Sequence, residues 1–414
     1  MLNYKNNQPY VEGVELESIA KIQPTPFYVY SEDKIRSTYK KLKKQLGSKI
    51  FYSVKANSNQ AIIKLLQTLG SGADVVSIGE LKRVLHAGIL PNNIIFEGVG
   101  KSSDDILFAI ESNIRQINIE SFEELVKIEE LGNSLNKHIA IGIRLNPNID
   151  GLTIDKISTG KKTDKFGIQM NEIGNIINYI KKSSNLNLIG ISCHIGSQIF
   201  NISVFGNIFK TMKNAAQQFI DSGMHINHVD LGGGLGIQYK NTDPIIKLTE
   251  LKEEINKHFD KVEYEISFEP GRYLVANAGI LVTSIITTKT NGGINYLITD
   301  AGMHSLLRPA LYGAFHSIEP FQKKSSKQIE YTVAGPICES SDIFIRNIKL
   351  PEQKNGNKLI IKDVGAYGAV MASNYNSRGL PAEILVKENS FSVIHQPQTI
   401  EEQINLDLIP NWFS

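Results

Sequence analysis

The stretch Lys49-Ile50-Phe51-Tyr52-Ser53-Val54-Lys55-Ala56-Asn57 leads into the helix-period run Ala61-Ile62-Ile63-Lys64-Leu65-Leu66, and past Gly70-Ser71-Gly72 the chain turns β-rich again at Ala73-Asp74-Val75-Val76. Strand, helix and strand at this spacing make a β-α-β unit, in which a crossover helix joins two parallel strands. The alternation continues toward the C-terminus. Strands are expected at residues 49–54, 73–76, 93–96, 115–119, 138–145, 187–193, 226–231 and 262–268. Helix-period segments fall between them at 59–70, 79–88, 103–112, 121–134, 171–184, 202–222 and 247–259, several opened by Ser, Asp or Asn. Eight strands with helices between them predict a (β/α)8 barrel, which carries its functional residues just past the C-terminal ends of its strands.

The texture changes beyond residue 280. Runs rich in Val, Ile, Thr and Tyr at 280–290, 294–299, 328–333 and 358–361, separated by Gly, Asn and Pro, predict a mostly β second domain, a sandwich or barrel. Pro26-Phe27-Tyr28-Val29-Tyr30 reads as a strand without a helix-period partner and is expected to join it. The predicted organisation is an α/β barrel over 31–279 and a mostly β domain made of 1–30 and 280–414. A chain of 414 residues exceeds one ordinary core, which suits two domains.

Hydrophobic residues make up 41% and charged residues 21%, with a net charge of +2, a balance that asks for neither nucleic acid nor membrane. Residues 1–13 lack the apolar core of a signal peptide, and no later run reaches the roughly 18 apolar residues of a membrane span, so a cytoplasmic location is expected. Cys193 and Cys338 are the only cysteines, too few for a disulfide framework. No cluster of His, Cys or carboxylate residues has clear metal-ligand spacing, and His225 and His228 stand at the start of strand seven, on the face away from the chemistry.

Residues with chemical character follow the strands unusually often. Strand one ends at Lys55, strand two runs into Asp74 and Ser77, strand five ends with Arg144, and strand six with His194-Ile195-Gly196-Ser197. Strand seven ends in Gly232-Gly233-Gly234 and strand eight in Glu269-Pro270-Gly271-Arg272. By itself Lys55 reads as a boundary charge; in a partly apolar site its lowered pKa would supply the free amine that Schiff-base chemistry needs. The glycine run could be a tight turn or a cradle in which backbone N–H groups approach phosphate. Gly271 opens a helix expected to run through Ala278, whose N-terminus adds N–H groups to the same place. Glu269 is either a helix-start charge or a carboxylate that keeps a pyridine nitrogen protonated. His194 reads as a packed core ring or as a stacking partner, and Ser197 as a turn cap or a phosphate donor. The glycines lack the order of a dinucleotide fingerprint or a P-loop.

With these residues in place, the chain resembles the diaminopimelate decarboxylases, within the barrel-type (fold type III) family of pyridoxal-phosphate enzymes, over essentially its whole length. Further matching motifs are Arg308-Pro309-Ala310-Leu311-Tyr312, Gly335-Pro336-Ile337-Cys338-Glu339-Ser340-Ser341-Asp342 and Gly365-Ala366-Tyr367-Gly368. The resemblance implies that Lys55 carries pyridoxal 5'-phosphate as a Schiff base and that His194 stacks on its ring. It implies that Glu269 meets the pyridine nitrogen and that Ser197, Gly233, Gly234, Gly271 and Arg272 meet the phosphate, with Asp74 and Pro270 counted among the cofactor-binding residues. Cys338 is implied to return a proton to Cα. Arg272, Arg308, Tyr312, Glu339 and Tyr367 are implied to hold substrate, Tyr367 also touching the phosphate.

In the family Cys338 and Glu339 reach the neighbouring subunit, which implies a homodimer with shared active sites, and 157–167 resembles the family's mobile loop beside the site. The implied reaction is decarboxylation of meso-2,6-diaminopimelate to L-lysine and CO2, the last step of lysine biosynthesis. Related ornithine and arginine decarboxylases show Cys-Asp-Gly where this chain has Cys338-Glu339-Ser340, which favours a substrate with both a distal carboxylate and a distal ammonium. The competing readings are a decarboxylase of ornithine, arginine, a D-amino acid or carboxynorspermidine, an amino-acid racemase, and a non-catalytic cofactor-binding or regulatory homologue.

Overall fold

The computed structural model describes residues 1–151, 160, 163–323 and 327–413. Part of the loop expected at 157–167 lies outside the described residues, as do residues 324–326. The chain forms two compact units, one made of Met1–Ile35, Tyr239–Asp243 and Leu274–Ser414, the other of Arg36–Gln238 and Pro244–Tyr273.

The second of these is a closed parallel barrel. Its strands in chain order are Lys49–Ser53, Gly72–Val75, Ile94–Phe96, Gln116–Ile119, Ile139–Asn146, Leu186–Ser192, His228–Asp230 and Glu265–Phe268. Each pairs with the next, and Glu265–Phe268 pairs back onto Lys49–Ser53. All eight lie where the alternation predicts them. The helices between them begin where small polar side chains can accept an orphan backbone N–H: Asn59 caps Gln60–Thr68, Ser77 caps Ile78–His86, Ser121 caps Phe122–Ser134 and Asn201 caps Ile202–Asp221. Ser77, prominent in the sequence beside Asp74, is thus accounted for as a cap. One helix is unanticipated. Glu32–Leu46 is rich in lysine and reads as polar, yet Ile35, Tyr39, Leu42 and Leu46 form one buried stripe at helical spacing.

The other unit is built on a sheet ordered Ile343–Pro351, Gln328–Ala334, Ile294–Thr299, Gly279–Asn291, Phe27–Ser31, Ala382–Lys387 and Ser390–His395. The N-terminal strand Phe27–Ser31 lies inside it, antiparallel to Gly279–Asn291 and parallel to Ala382–Lys387. Val11, Leu16, Phe27, Val29, Ile280, Val282, Phe321, Ile360 and Ile384 form its core. The expected α/β barrel plus mostly β domain, with the N-terminal strand contributing, is the architecture found.

Candidate active site

In each barrel strand alternate side chains point inward, and the uppermost inward layer is polar to an unusual degree. Ser53 donates to Asp74 at 2.7 Å. Glu97 accepts from Asn118 and, at 2.9 Å, from Ser192. Arg144 donates to Glu120 at 2.7 Å and to Glu97 at 3.4 Å. Ser267 donates to one oxygen of Asp230, whose other oxygen accepts the Gly232 N–H at 2.8 Å. Burial raises the Asp74, Glu120 and Asp230 carboxyls, Asp230 to about 7, against the pull of Lys55, Arg144 and local hydrogen bonds respectively. On Arg144 burial opposes the charge, but Glu97, Glu120, Glu269 and Asp74 outweigh it and raise its pKa.

Lys55 sits in a short turn, Val54–Ala56, directly past strand one. Its side chain is 41% exposed, and Nζ lies 3.7 Å from Asp74 Oδ2. The strand end delivers the amine toward the carboxyls of Asp74, Glu80 and Glu269, each of which feels its charge.

Past strand six, His194 Nδ1 accepts the Gly233 N–H at 3.1 Å. That bond leaves the ring proton on Nε2, and burial, then Lys55 and Arg144, hold the imidazole neutral by lowering its pKa well below the ordinary value. The loop past strand six is also tied to the glycine run by Ile199 N–H to the Gly234 carbonyl at 2.9 Å and Gly236 N–H to the Ile199 carbonyl at 3.0 Å. Gly234 has φ +84, and a Cβ there would meet the Gly196 carbonyl oxygen at 2.6 Å. Both observations require glycine. Ser197 Oγ accepts from Arg272 Nε at 3.0 Å.

Past strand eight, a Cβ on Gly271 would lie 2.9 Å from Ala56 Cβ and 3.0 Å from the Ser53 carbonyl, so glycine lets the ends of strands eight and one close together. The expected helix from Gly271 through Ala278 is instead a short helix, Arg272–Val275, followed by the tighter turn Ala276–Ala278. Few aligned peptide dipoles act here, and the backbone cradle carries the anion-binding argument. Pro270 precedes it and offers its carbonyl to Ser53 N–H at 3.5 Å.

Glu269 is buried, and its Oε1 has no hydrogen-bond partner among the described residues. Burial, then Asp230, Asp74 and Glu97, push its carboxyl well above the ordinary range, with Lys55 opposing. A buried acceptor without a donor is costly, and the N–H of a protonated pyridine ring supplies a donor of the right charge. An aldehyde-reactive amine, a backbone cradle for phosphate and an orphaned carboxyl oxygen on adjoining strand ends together fit pyridoxal phosphate.

In the other unit, Arg308 begins the helix Arg308–Tyr312. Its guanidinium donates to Tyr239 Oη and meets His316 Nε2, both at 2.9 Å. Cys338 and Glu339 are exposed, with Glu339 accepting from Ser341 at 3.0 Å and from Tyr375 at 2.5 Å. Tyr367 adopts φ 57 between Ala366 and Gly368. Cys193 is buried, and its thiol is inert there.

The barrel unit thus gathers Lys55, Asp74, His194, Ser197, Gly233, Gly234, Glu269, Pro270, Gly271 and Arg272 along the C-terminal ends of its strands, and the β-rich unit carries Arg308, Tyr312, Cys338, Glu339 and Tyr367. Sequence reasoning missed Glu97, Glu120, Asp230 and their serine and asparagine partners, as well as Tyr239, His316, Tyr375 and Asn376. Alternate polar residues within the strand runs, such as Ser192, Asp230 and Ser267, were the available signal for the first group.

These features point to an enzyme of the pyridoxal-dependent class built on a (β/α)8 barrel. A family model described as "Pyridoxal-dependent decarboxylase, pyridoxal binding domain" matches residues 32–276. Diaminopimelate decarboxylase of Aquifex aeolicus is 37% identical over 401 residues, covering 97% of this chain and 96% of its own. The crystal structure of diaminopimelate decarboxylase from Helicobacter pylori complexed with L-lysine is 40% identical, covers 94% of this chain and 98% of its own, and superposes with a TM-score of 0.90. That of the M. jannaschii enzyme in co-complex with L-lysine is 35% identical, covers 99% and 98%, and has a TM-score of 0.92. The chain belongs to the diaminopimelate decarboxylase family of pyridoxal-dependent decarboxylases.

Proposed function

We propose that this enzyme decarboxylates meso-2,6-diaminopimelate to L-lysine and CO2, completing lysine biosynthesis. The observation that carries the reading is the orphaned, buried Oε1 of Glu269 beside Lys55 and the glycine cradle. Pyridoxal phosphate, bound there, supplies an electron sink for the pair left on Cα when CO2 departs. Lys55 Nζ would be its attachment point. Glu269 Oε1 holds the proton at the ring nitrogen. His194, kept neutral, would face the ring without adding a second positive charge. Ser197, Gly233, Gly234, Gly271 and Arg272 bind the phosphate, joined by Tyr367, and Asp74 steadies Lys55.

At the far end of the substrate, Arg272, Arg308 and Tyr312 hold the carboxylate, and Glu339 pairs with the ammonium. Cys338 then gives up its thiol proton: the S–H bond breaks, a C–H bond forms on the electron pair that CO2 left behind, and a thiolate remains. A homodimer shares these residues between subunits. In support, Leu406, Leu408 and Trp412 are 78%, 91% and 76% exposed, an apolar stretch that a second copy would cover. The cytoplasm is the proposed location; two free thiols suit a reducing compartment.

A CO2-release panel of meso-diaminopimelate, ornithine, arginine, D-amino acids and carboxynorspermidine tests the assignment. Strong release from meso-diaminopimelate alone is expected. Turnover of another substrate with little on meso-diaminopimelate overturns it.

A further inference from the structure

Asp342 is the main side-chain anchor for the backbone of the loop Gly335–Asp342. Asp342 accepts Met303 N–H at 2.6 Å and Ile337 N–H at 2.7 Å, and its own N–H reaches the Glu339 carbonyl at 3.1 Å. Nothing in that arrangement orients the Cys338 side chain, and only Ser341 touches the Glu339 carboxylate from within the loop. Both side chains are exposed, where rotamer freedom is large.

A distant segment orients them. Asn376 Oδ1 accepts from Cys338 Sγ at 3.2 Å and from Cys338 N–H at 3.4 Å. Its neighbour Tyr375 donates to Glu339 Oε1 at 2.5 Å, while Ser341 donates to Oε2 at 3.0 Å. The Tyr375 and Ser341 hydroxyls hold the Glu339 carboxyl below its usual range. The turn is itself anchored: Asn374 Nδ2 donates to the Arg378 carbonyl at 2.9 Å and to Gln398 at 2.5 Å, and Ser373 N–H reaches the His304 carbonyl at 2.9 Å. Asn376 and Ser377 both sit in the left-handed region, at φ 55 and 54. Consecutive non-glycine residues keep that conformation only where surrounding contacts impose it.

We propose that the turn Tyr375–Ser377 is a positioning element for the active-site loop, Asn376 aiming the Cys338 thiol and Tyr375 fixing the Glu339 carboxylate. The inference rests on the reading of Cys338 as proton donor and Glu339 as ammonium partner. It predicts that adjacent residues of one turn govern different kinetic constants. Asn376 acts on the proton-delivery step, hence on kcat. Tyr375 acts on substrate binding, hence on KM.

The test uses the holoenzyme, meso-diaminopimelate kinetics and the rate of Cys338 alkylation by iodoacetamide; buried Cys193 stays silent. Asn376→Gly keeps the left-handed backbone and removes the acceptor, so kcat should fall about tenfold with KM within about twofold, and alkylation should quicken about threefold. Asn376→Asp restores an acceptor with negative charge, so alkylation should be slower than in the parent enzyme and kcat should partly recover. Tyr375→Phe should raise KM about fivefold with kcat unchanged.

If both Asn376 variants change alkylation in the same direction, or if Tyr375→Phe lowers kcat at constant KM, the positioning role is overturned. Cys338→Ala and Glu339→Gln serve as controls. A parent-like kcat in the first or a parent-like KM in the second overturns the underlying reading of the site. Normal loss in both controls with parent-like Asn376 and Tyr375 variants overturns this inference alone.

Discussion

Lys49 and Lys55 stand at the two ends of the same barrel strand, and their surroundings are opposites. Lys49 lies over the Phe51 ring at 5.1 Å, and its pKa is lowered, first by burial and then by Arg115, with Lys43 adding to the effect and Glu265 opposing. Lys55 faces Asp74 and the carboxylates around Arg144. Lys49 thus sits among Arg115, Glu265 and the buried His228 at the lower end of the barrel. Position at the C-terminal ends of the strands, beside the glycine run and Glu269, is what marks Lys55 as the proposed cofactor lysine. A lowered lysine pKa, as at Lys49, is by itself no pointer to chemistry.

Substitution at the two ends should separate them sharply. Lys55→Ala is expected to abolish the visible absorbance of the bound cofactor and to lower turnover more than about a thousandfold. Lys49→Ala should leave both within about twofold, since it touches only the floor of the barrel. Unchanged absorbance in the Lys55 variant would overturn the central assignment.

The ends should also answer pH with opposite signs in the cofactor-free protein. Asp230, raised to about 7, holds its proton in the folded chain at pH values where the unfolded carboxyl, near the usual 3.9, has lost it. Stability from this group therefore falls as pH rises from about 4 to 7 and is flat above. Asp230→Asn should flatten part of that slope, read as melting temperature against pH; an unaltered slope would mean that Asp230 is ionised in the fold.

His228 at the lower end is fully buried with neither ring nitrogen partnered among the described residues, and burial, then Arg115 and Lys49, lower its pKa to about 3. The unfolded imidazole protonates below about 6.5 while the folded one does not, so stability is lost as pH falls from there toward 3. His228→Leu should remove that acid-side loss and shift stability at neutral pH by less than about 1 kcal/mol, with turnover unaltered. A large loss of activity in this variant would end the division of labour between the two ends.

The strands and most helices were legible because a barrel repeats one pattern, and an apolar run flanked by glycine and a helix-period segment admits few readings. Glu32–Leu46 escaped because its lysines masked a narrow buried stripe. The three motifs proposed to hold the cofactor were visible because each follows a strand that ends at the same face. Glu97, Glu120 and Asp230 were not, because nothing local tells an inward carboxylate from an outward one: closure of the barrel brings them together. Tyr375 and Asn376 were invisible for a related reason, since their partners Cys338 and Glu339 are distant in the chain and the turn between them has no motif of its own.

The strand Phe27–Ser31 emerges early in synthesis, yet it bonds to Gly279–Asn291 on one side and Ala382–Lys387 on the other. All eight barrel strands are made before either partner exists. The barrel can close once Glu265–Phe268 is made and reaches Lys49–Ser53, whereas the sheet that carries Arg308 and Cys338 must wait for the last part of the chain to enclose its first strand. A ribosome that stops short of Ala382 would release a barrel with its glycine cradle complete and, beside it, an edge strand still seeking its neighbour.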